Sequence, residues 1–105
     1  MLENEHCSAD PTRLKREEVD TLLGEVPGWT VSDDGRTLVR EFAFGNFYET
    51  MGFANAVAWE ANREDHHPDL ELSYKRGKVH FTTHSADGLS RNDFILAARV
   101  NALTG

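Results

Sequence analysis

The chain has one cysteine, no block of basic residues and no long apolar run, and each scarcity removes a class of protein. A lone Cys7 cannot close an internal disulfide, and by itself it cannot build a thiolate zinc site. The formal net charge is −7, and the Lys and Arg residues are scattered rather than clustered. Neutralising phosphates requires a basic footprint, so nucleic acid is not an expected partner. No apolar stretch approaches the roughly 18 residues of a membrane span, so no membrane partner is expected either. The opening MLENEHCSAD lacks the charged-then-apolar layout of a secretory leader, and a cytoplasmic location is the expectation.

What is present suffices for one folded unit. A chain of 105 residues can bury a single core but not two. Its 39% hydrophobic content, with six Phe and two Trp, is that of a globular protein rather than a disordered one. Residues 1–10 are polar and aperiodic and read as a flexible tail, leaving 11–105 as one domain.

LKREEVDTLL places Val19, Leu22 and Leu23 on one side of a short helix. GWTVSDDGRTLVREFAF reads as a hairpin turning at Asp34-Gly35, with Leu38, Arg40, Phe42 and Phe44 on one face of its second strand. Asn46, with Glu49 three residues on, has the pattern of a capping box. The helix behind it carries a stripe of Phe47, Met51, Ala54, Val57, Ala58 and Ala61 and runs to about Asp65. Tyr48 and Trp59 share a flank of that helix away from the stripe. Pro68 forbids its continuation.

Leu70, Leu72 and Tyr74 alternate with polar residues, which predicts a strand with all three in the core, followed by a turn at Arg76-Gly77. KVHFTTH then sets Val79, Phe81 and Thr83 on one face and His80, Thr82 and His84 on the other. Ser90 and Asp93 form a second capping box. The helix they open is apolar around most of its circumference, which predicts a second buried face, set against another subunit. The order αββαββα, with no βαβ unit, predicts an α+β fold with an antiparallel sheet.

Four of the five histidines, His66, His67, His80 and His84, fall within residues 64–84. Zinc sites prefer three or four ligands, typically His at i,i+4 spacing or His with Cys. Adjacent His66 and His67 chelate poorly, and a metal reading would rest on His66, His84 and Asp93. Metal-free acid/base chemistry fits the residue types better, because imidazoles around one pocket can both give and take a proton near neutral pH. The helix C-terminus and Asp65 favour the charged form of His66, which suits a general acid. His84, arriving on a separate strand, could face it. His80 reads as a polar hairpin residue and His6 as part of the tail.

At this point DHHPDLELSY, His84 and THSADGLSRNDFILAA together resemble the pterin-4a-carbinolamine dehydratases. The resemblance rests on His66, His67, Pro68, Tyr74, His84 and Asp93 at the family spacing, and extends upstream through Gly28-Trp29 and FAFGNFYETMGFANAV. It implies a four-stranded antiparallel sheet backed by three helices, assembled as a homodimer or homotetramer. The implied reaction dehydrates 4a-hydroxytetrahydropterin to quinonoid dihydropterin, with neither metal nor redox cofactor. The implied catalytic residues are His66 and His84 as the acid/base pair, with His67 binding substrate and assisting.

The same resemblance implies a functional link to an aromatic amino-acid hydroxylase, whose tetrahydropterin is recycled. Asn62 stands where the family has an acidic residue at the edge of the pterin pocket. Asp93 either caps its helix or positions a catalytic histidine, and Asp65 either orients an imidazole or ends a helix. Trp29 either flanks the pterin or sits in the core. Relatives in animals also act as dimerisation cofactors for a homeodomain transcription factor, so a non-catalytic binding or assembly module is the alternative.

Overall fold

A computed structural model describes residues 1–104. Three helices, α1 (Arg16–Leu23), α2 (Phe47–Glu64) and α3 (Arg91–Thr104), pack with four strands, β1 (Thr30–Val31), β2 (Leu38–Ala43), β3 (Asp69–Leu72) and β4 (Arg76–Phe81). All strand pairs are antiparallel, in the order β1-β2-β4-β3. The α+β class and the αββαββα order are those expected from the pattern.

The two hairpins meet through β2 and β4, where Leu38 pairs with Phe81 and Arg40 with Val79. Strand periodicity turns Leu38, Phe42, Val79 and Phe81 to one face, where they meet Phe53 and Val57 of α2 and Phe94, Ile95 and Leu96 of α3. Phe81 and Phe94 are fully buried. Removing a buried Phe ring typically costs about 3–5 kcal/mol.

The ends of α2 decide where the histidines fall. Asn46 Oδ1 accepts the Glu49 N–H at 2.8 Å, as a cap should, while the Glu49 carboxylate accepts from Gly45 rather than from Asn46. The buried stripe is Thr50, Phe53, Ala54, Val57 and Ala61, so the expected Phe47 and Ala58 face outward. At the far end Asp65 takes a left-handed conformation, φ 51°, which the short polar Asp side chain tolerates. That turn throws His66 off the helix axis, and Pro68 starts the run into β3.

Three expectations are corrected. Tyr74 and Leu72 are not core residues: β3 ends at Leu72, itself 40% exposed, the turn is Ser73–Lys75 rather than Arg76-Gly77, which open β4, and Tyr74 is 63% exposed. Over Asn92–Val100 the second face of α3 is buried within the chain itself, in part by the N-terminal turn, while Leu103 stays 43% exposed. Residues 2–8 accordingly do not stand apart as a loose tail. Leu2, in a short 3₁₀ turn (Leu2–Asn4), is buried in the core. The Glu5 carboxylate accepts from Arg91 Nε and Nη2, each at 2.7 Å, its carbonyl accepts from Arg99, and Ser8 exchanges two hydrogen bonds with the Asn92 amide.

Candidate active site

A cleft of about 510 Å³ opens where the end of α2, the segment after β4, the first turn of α3 and the N-terminal residues converge. Asp65, His66, His67 and His84 all line it. Each arrives by a different local rule. His66 and His67 follow the left-handed turn at Asp65. His84 begins a 3₁₀ turn (His84–Ala86) just beyond β4, in a loop closed by the Thr83–Gly88 bridge, so it is displayed by a turn rather than by a strand.

His66 is the organised member. Its Nε2 lies 2.6 Å from Asp93 Oδ1, with the His66 side chain 12% exposed and Asp93 fully buried. Its ring stacks on Phe81, 6.1 Å between centroids and 12° between planes. Asp93 Oδ2 accepts from the Thr83 hydroxyl at 2.7 Å and from the Ser90 N–H at 2.9 Å. Thr83 has one proton to give and spends it on Asp93, so Ser90 Oγ donates to Thr83 Oγ1 at 2.8 Å while accepting from the Asn92 N–H. With Thr83 and Ser90 already donating to Asp93, and a carboxylate able only to accept, the proton of the His66–Asp93 contact belongs on Nε2. Nδ1 of His66 has no protein partner among the described residues.

Asp93 thereby resolves an open choice, because one oxygen caps α3 and the other positions His66. No group of three His, Cys, Asp or Glu side chains suited to a metal converges among the described residues. Asp65 lines the cleft and ends α2, but the imidazole's partner is Asp93. His67 and His84 are exposed, without side-chain hydrogen bonds among the described residues.

Two expected residues lie elsewhere. Of the two places left open for Trp29, it takes the core and not the flank of the cleft: its Nε1 donates to Asn101 at 2.8 Å and its ring packs on Phe42 and Phe81. Asn62 lines a second cleft of about 460 Å³, on the other side of His67, with Trp59 and Pro68. His67 is the one histidine that borders both. The largest groove, about 890 Å³ between β2 and α2, is lined by Phe42, Phe44, Tyr48 and Met51 among others and contains no histidine.

The sequence reading missed Thr83, Ser90's hydroxyl, Asn92, Glu64 and the N-terminal wall. Thr83 carried a signal, since a hydroxyl shares the buried face of Val79 and Phe81. The wall did not. Glu64 accepts from the Cys7 N–H at 2.7 Å, contacts His6 Nδ1 at 3.0 Å, and lies 3.4 Å from Arg99 Nη2, all far away in sequence. Burial works against the Glu64 charge, but the Cys7 amide, His6 and Arg99 outweigh it and hold the carboxyl below the ordinary value. Burial, aided by Glu64, pushes the Cys7 thiol up to about 12, so it stays protonated near neutral pH and is no nucleophile.

Comparison with known proteins agrees with this geometry. The family model described as Pterin 4 alpha carbinolamine dehydratase matches residues 12–103. A Stenotrophomonas maltophilia relative is 52% identical over 92 residues, covering 88% of this chain and 79% of its own. A Legionella pneumophila relative is 48% identical over 100 residues, covering 94% and 88%. Both carry the name pterin-4-alpha-carbinolamine dehydratase as a provisional assignment. Among solved structures, a transcriptional coactivator/pterin dehydratase from Brucella melitensis superposes with a TM-score of 0.86 at 33% identity, over 90% of this chain and all of the other. A pterin dehydratase-like protein described as a RuBisCO assembly factor in the alpha-carboxysome gives 0.65 at 25% identity, over 74% of this chain and 90% of the other. The match spans both hairpins, all three helices and every histidine of the cleft, and the chain belongs to the pterin-4a-carbinolamine dehydratase family.

Proposed function

We propose that this protein is a hydro-lyase that dehydrates 4a-hydroxytetrahydropterin to quinonoid dihydropterin, with His66 and His84 carrying the protons. The observation that supports this most is the buried Asp93 bound to His66 at the edge of a cleft shared with His67 and His84. In the reaction the C4a–O bond breaks as the leaving hydroxyl takes up a proton and departs as water. The electrons come from the neighbouring ring nitrogen, whose proton is lost. One proton enters and one leaves, so an acid and a base on the same cleft suffice.

Asp93 holds Nε2 of His66, which leaves Nδ1 as the nitrogen that faces proton exchange. A protonated His66 delivers its Nδ1 proton to the hydroxyl, and His84 accepts the proton from the ring nitrogen. His67, bordering both clefts, binds the substrate and assists the transfer. Asp65 and Asn62 lie at the margins of these clefts, where they contact substrate rather than transfer protons. On this reading the product re-enters the tetrahydropterin pool of an aromatic amino-acid hydroxylase, in the cytoplasm, and the protein works as a homodimer or homotetramer.

The test is stopped-flow decay of 4a-hydroxytetrahydropterin, generated by a pterin-dependent hydroxylase, with wild type, His66→Ala and His84→Ala. Acceleration by the wild type that falls about 10²-fold or more in each variant is expected, within the roughly 10²–10⁴ range of positioned acid/base groups. A wild-type rate equal to the spontaneous one would defeat the reading and favour a binding or assembly role like the one described for the carboxysome relative.

A further inference from the structure

The histidine cleft has a wall that the family match does not include. The matched region begins at residue 12, whereas Cys7, Ser8, Ala9 and Pro11 line the same cleft as His66, His67 and His84. This stretch is a strap pinned at several points. Upstream, Leu2 is buried and Glu5 is clamped by Arg91 and Arg99. At the cleft itself, Glu64 takes the Cys7 amide, and the Asn92 side chain bonds both the N–H and the C=O of Ser8.

The anchors are themselves parts of the site's frame. Glu64 is the last residue of α2, two before His66, and Asn92 lies in the first turn of α3, next to Asp93. The strap is therefore held at a fixed position relative to the His66–Asp93 pair. Its chemistry complements the opposite side. Ser8 spends its backbone groups on Asn92, its Oγ accepts from the Asp10 N–H and keeps its own proton to give, and the Cys7 thiol stays neutral. What the strap offers a ligand is a thiol, a methyl, a proline ring and one hydroxyl: a mostly apolar, uncharged surface in a cleft whose other lining includes three imidazoles, Asp65 and Ser85. A flat heteroaromatic ring with polar edges suits that division, since its face can rest on apolar atoms while its edges meet the imidazoles.

We infer that residues 7–11 are a substrate-positioning wall of the cleft, which holds the face of the pterin ring and contributes to its affinity rather than to proton transfer. This rests on the dehydratase reading for the identity of the ligand. Contacts of this kind act equally on ground state and transition state, so their loss appears in KM and not in kcat.

Two variants test it. One lacks residues 2–10. The other, Ala9→Trp, keeps every anchor and crowds the cleft from an exposed position, so it remains informative if the truncation unfolds. Each is measured for kcat and KM by stopped flow, and for equilibrium binding of 7,8-dihydropterin by fluorescence, with thermal unfolding as the check on folding. The expected result is KM and the dihydropterin Kd both raised about 10-fold, with kcat changed by less than about 2-fold. Unchanged Kd in Ala9→Trp, or in a folded truncation, would overturn the wall. A fall in kcat at constant KM would overturn it as well, because it would place the strap in the chemistry. Wild-type binding without turnover would defeat the dehydratase reading alone, and the Kd values would still decide the strap. A wild type that neither binds nor turns over the pterin would defeat both.

Discussion

Two histidine–carboxylate pairs of almost equal length sit on this small protein, and they teach opposite lessons. His66 meets Asp93 at 2.6 Å, and His80 meets Glu71 at 2.5 Å. Glu71 is on β3, an edge strand, and its side chain is 67% exposed, whereas the Asp93 side chain is fully buried. Solvent screens the His80–Glu71 pair and offers both partners other hydrogen bonds, so its worth is small. The His66–Asp93 pair is out of water, and its carboxylate also serves Thr83 and the Ser90 amide. Distance alone does not distinguish a positioning contact from an incidental one. The number of other donors that depend on the same oxygens does.

The comparison can be broken most forcefully at Asp93. Replacing it with alanine strips three donors of their acceptor in the interior, and breaking a buried pair in this way costs about 3–5 kcal/mol. Chemical denaturation should show that loss for Asp93→Ala, and a cost below about 1 kcal/mol would mean that the network is not what holds this corner together. Thr83→Val sharpens the point by removing one donor while keeping the shape. The buried Asp93 oxygen then loses a charge-assisted bond, for which about 1–3 kcal/mol is expected in the same assay.

A milder perturbation is acid. Glu64 is held below its ordinary value when folded, so its contribution is complete above that ordinary value of 4.5 and is lost as the pH falls through the lower folded one. Hydrogen exchange at the Cys7 amide should therefore be slow near neutral pH and gain protection loss below about 4.5, beyond the intrinsic pH dependence. Protection independent of pH across that range would remove Glu64 as the strap's anchor. The smallest effect belongs to the surface pair. Glu71→Gln should change stability by less than about 1 kcal/mol and leave dehydration untouched.

Much of the frame was legible because it depends on neighbours in sequence. Asn46 and Ser90 announce helix starts, Pro68 announces a stop, and Val79, Phe81 and Thr83 alternate as a strand must. The histidines' convergence was implied by the family resemblance, while the residues alone left it as one possibility. What escaped depends on contacts across the chain or on where an element ends. Tyr74 continues the alternation of Leu70 and Leu72, but β3 stops two residues before it. The N-terminal residues have no period to read, and their partners Glu64, Asn92 and Arg99 lie 57 to 94 positions away. Once they dock, the apolar circumference of α3 is buried inside one chain from Asn92 to Val100. Trp29 was ambiguous between core and cleft because its deciding partner, Asn101, is 72 residues on.

The central claim is that Asp93 makes His66 the proton-transferring histidine of a pterin dehydratase. Asp93→Asn tests it most directly, since the amide keeps the size and an acceptor for the Ser90 cap while presenting an N–H where Nε2 of His66 needs an acceptor. Stopped-flow dehydration of 4a-hydroxytetrahydropterin, with wild type, Asp93→Asn and Glu71→Gln side by side, reads the difference. The account predicts that Asp93→Asn falls about 10²–10⁴-fold, toward the spontaneous rate, while Glu71→Gln keeps the wild-type rate. An Asp93→Asn protein as fast as the wild type would contradict it.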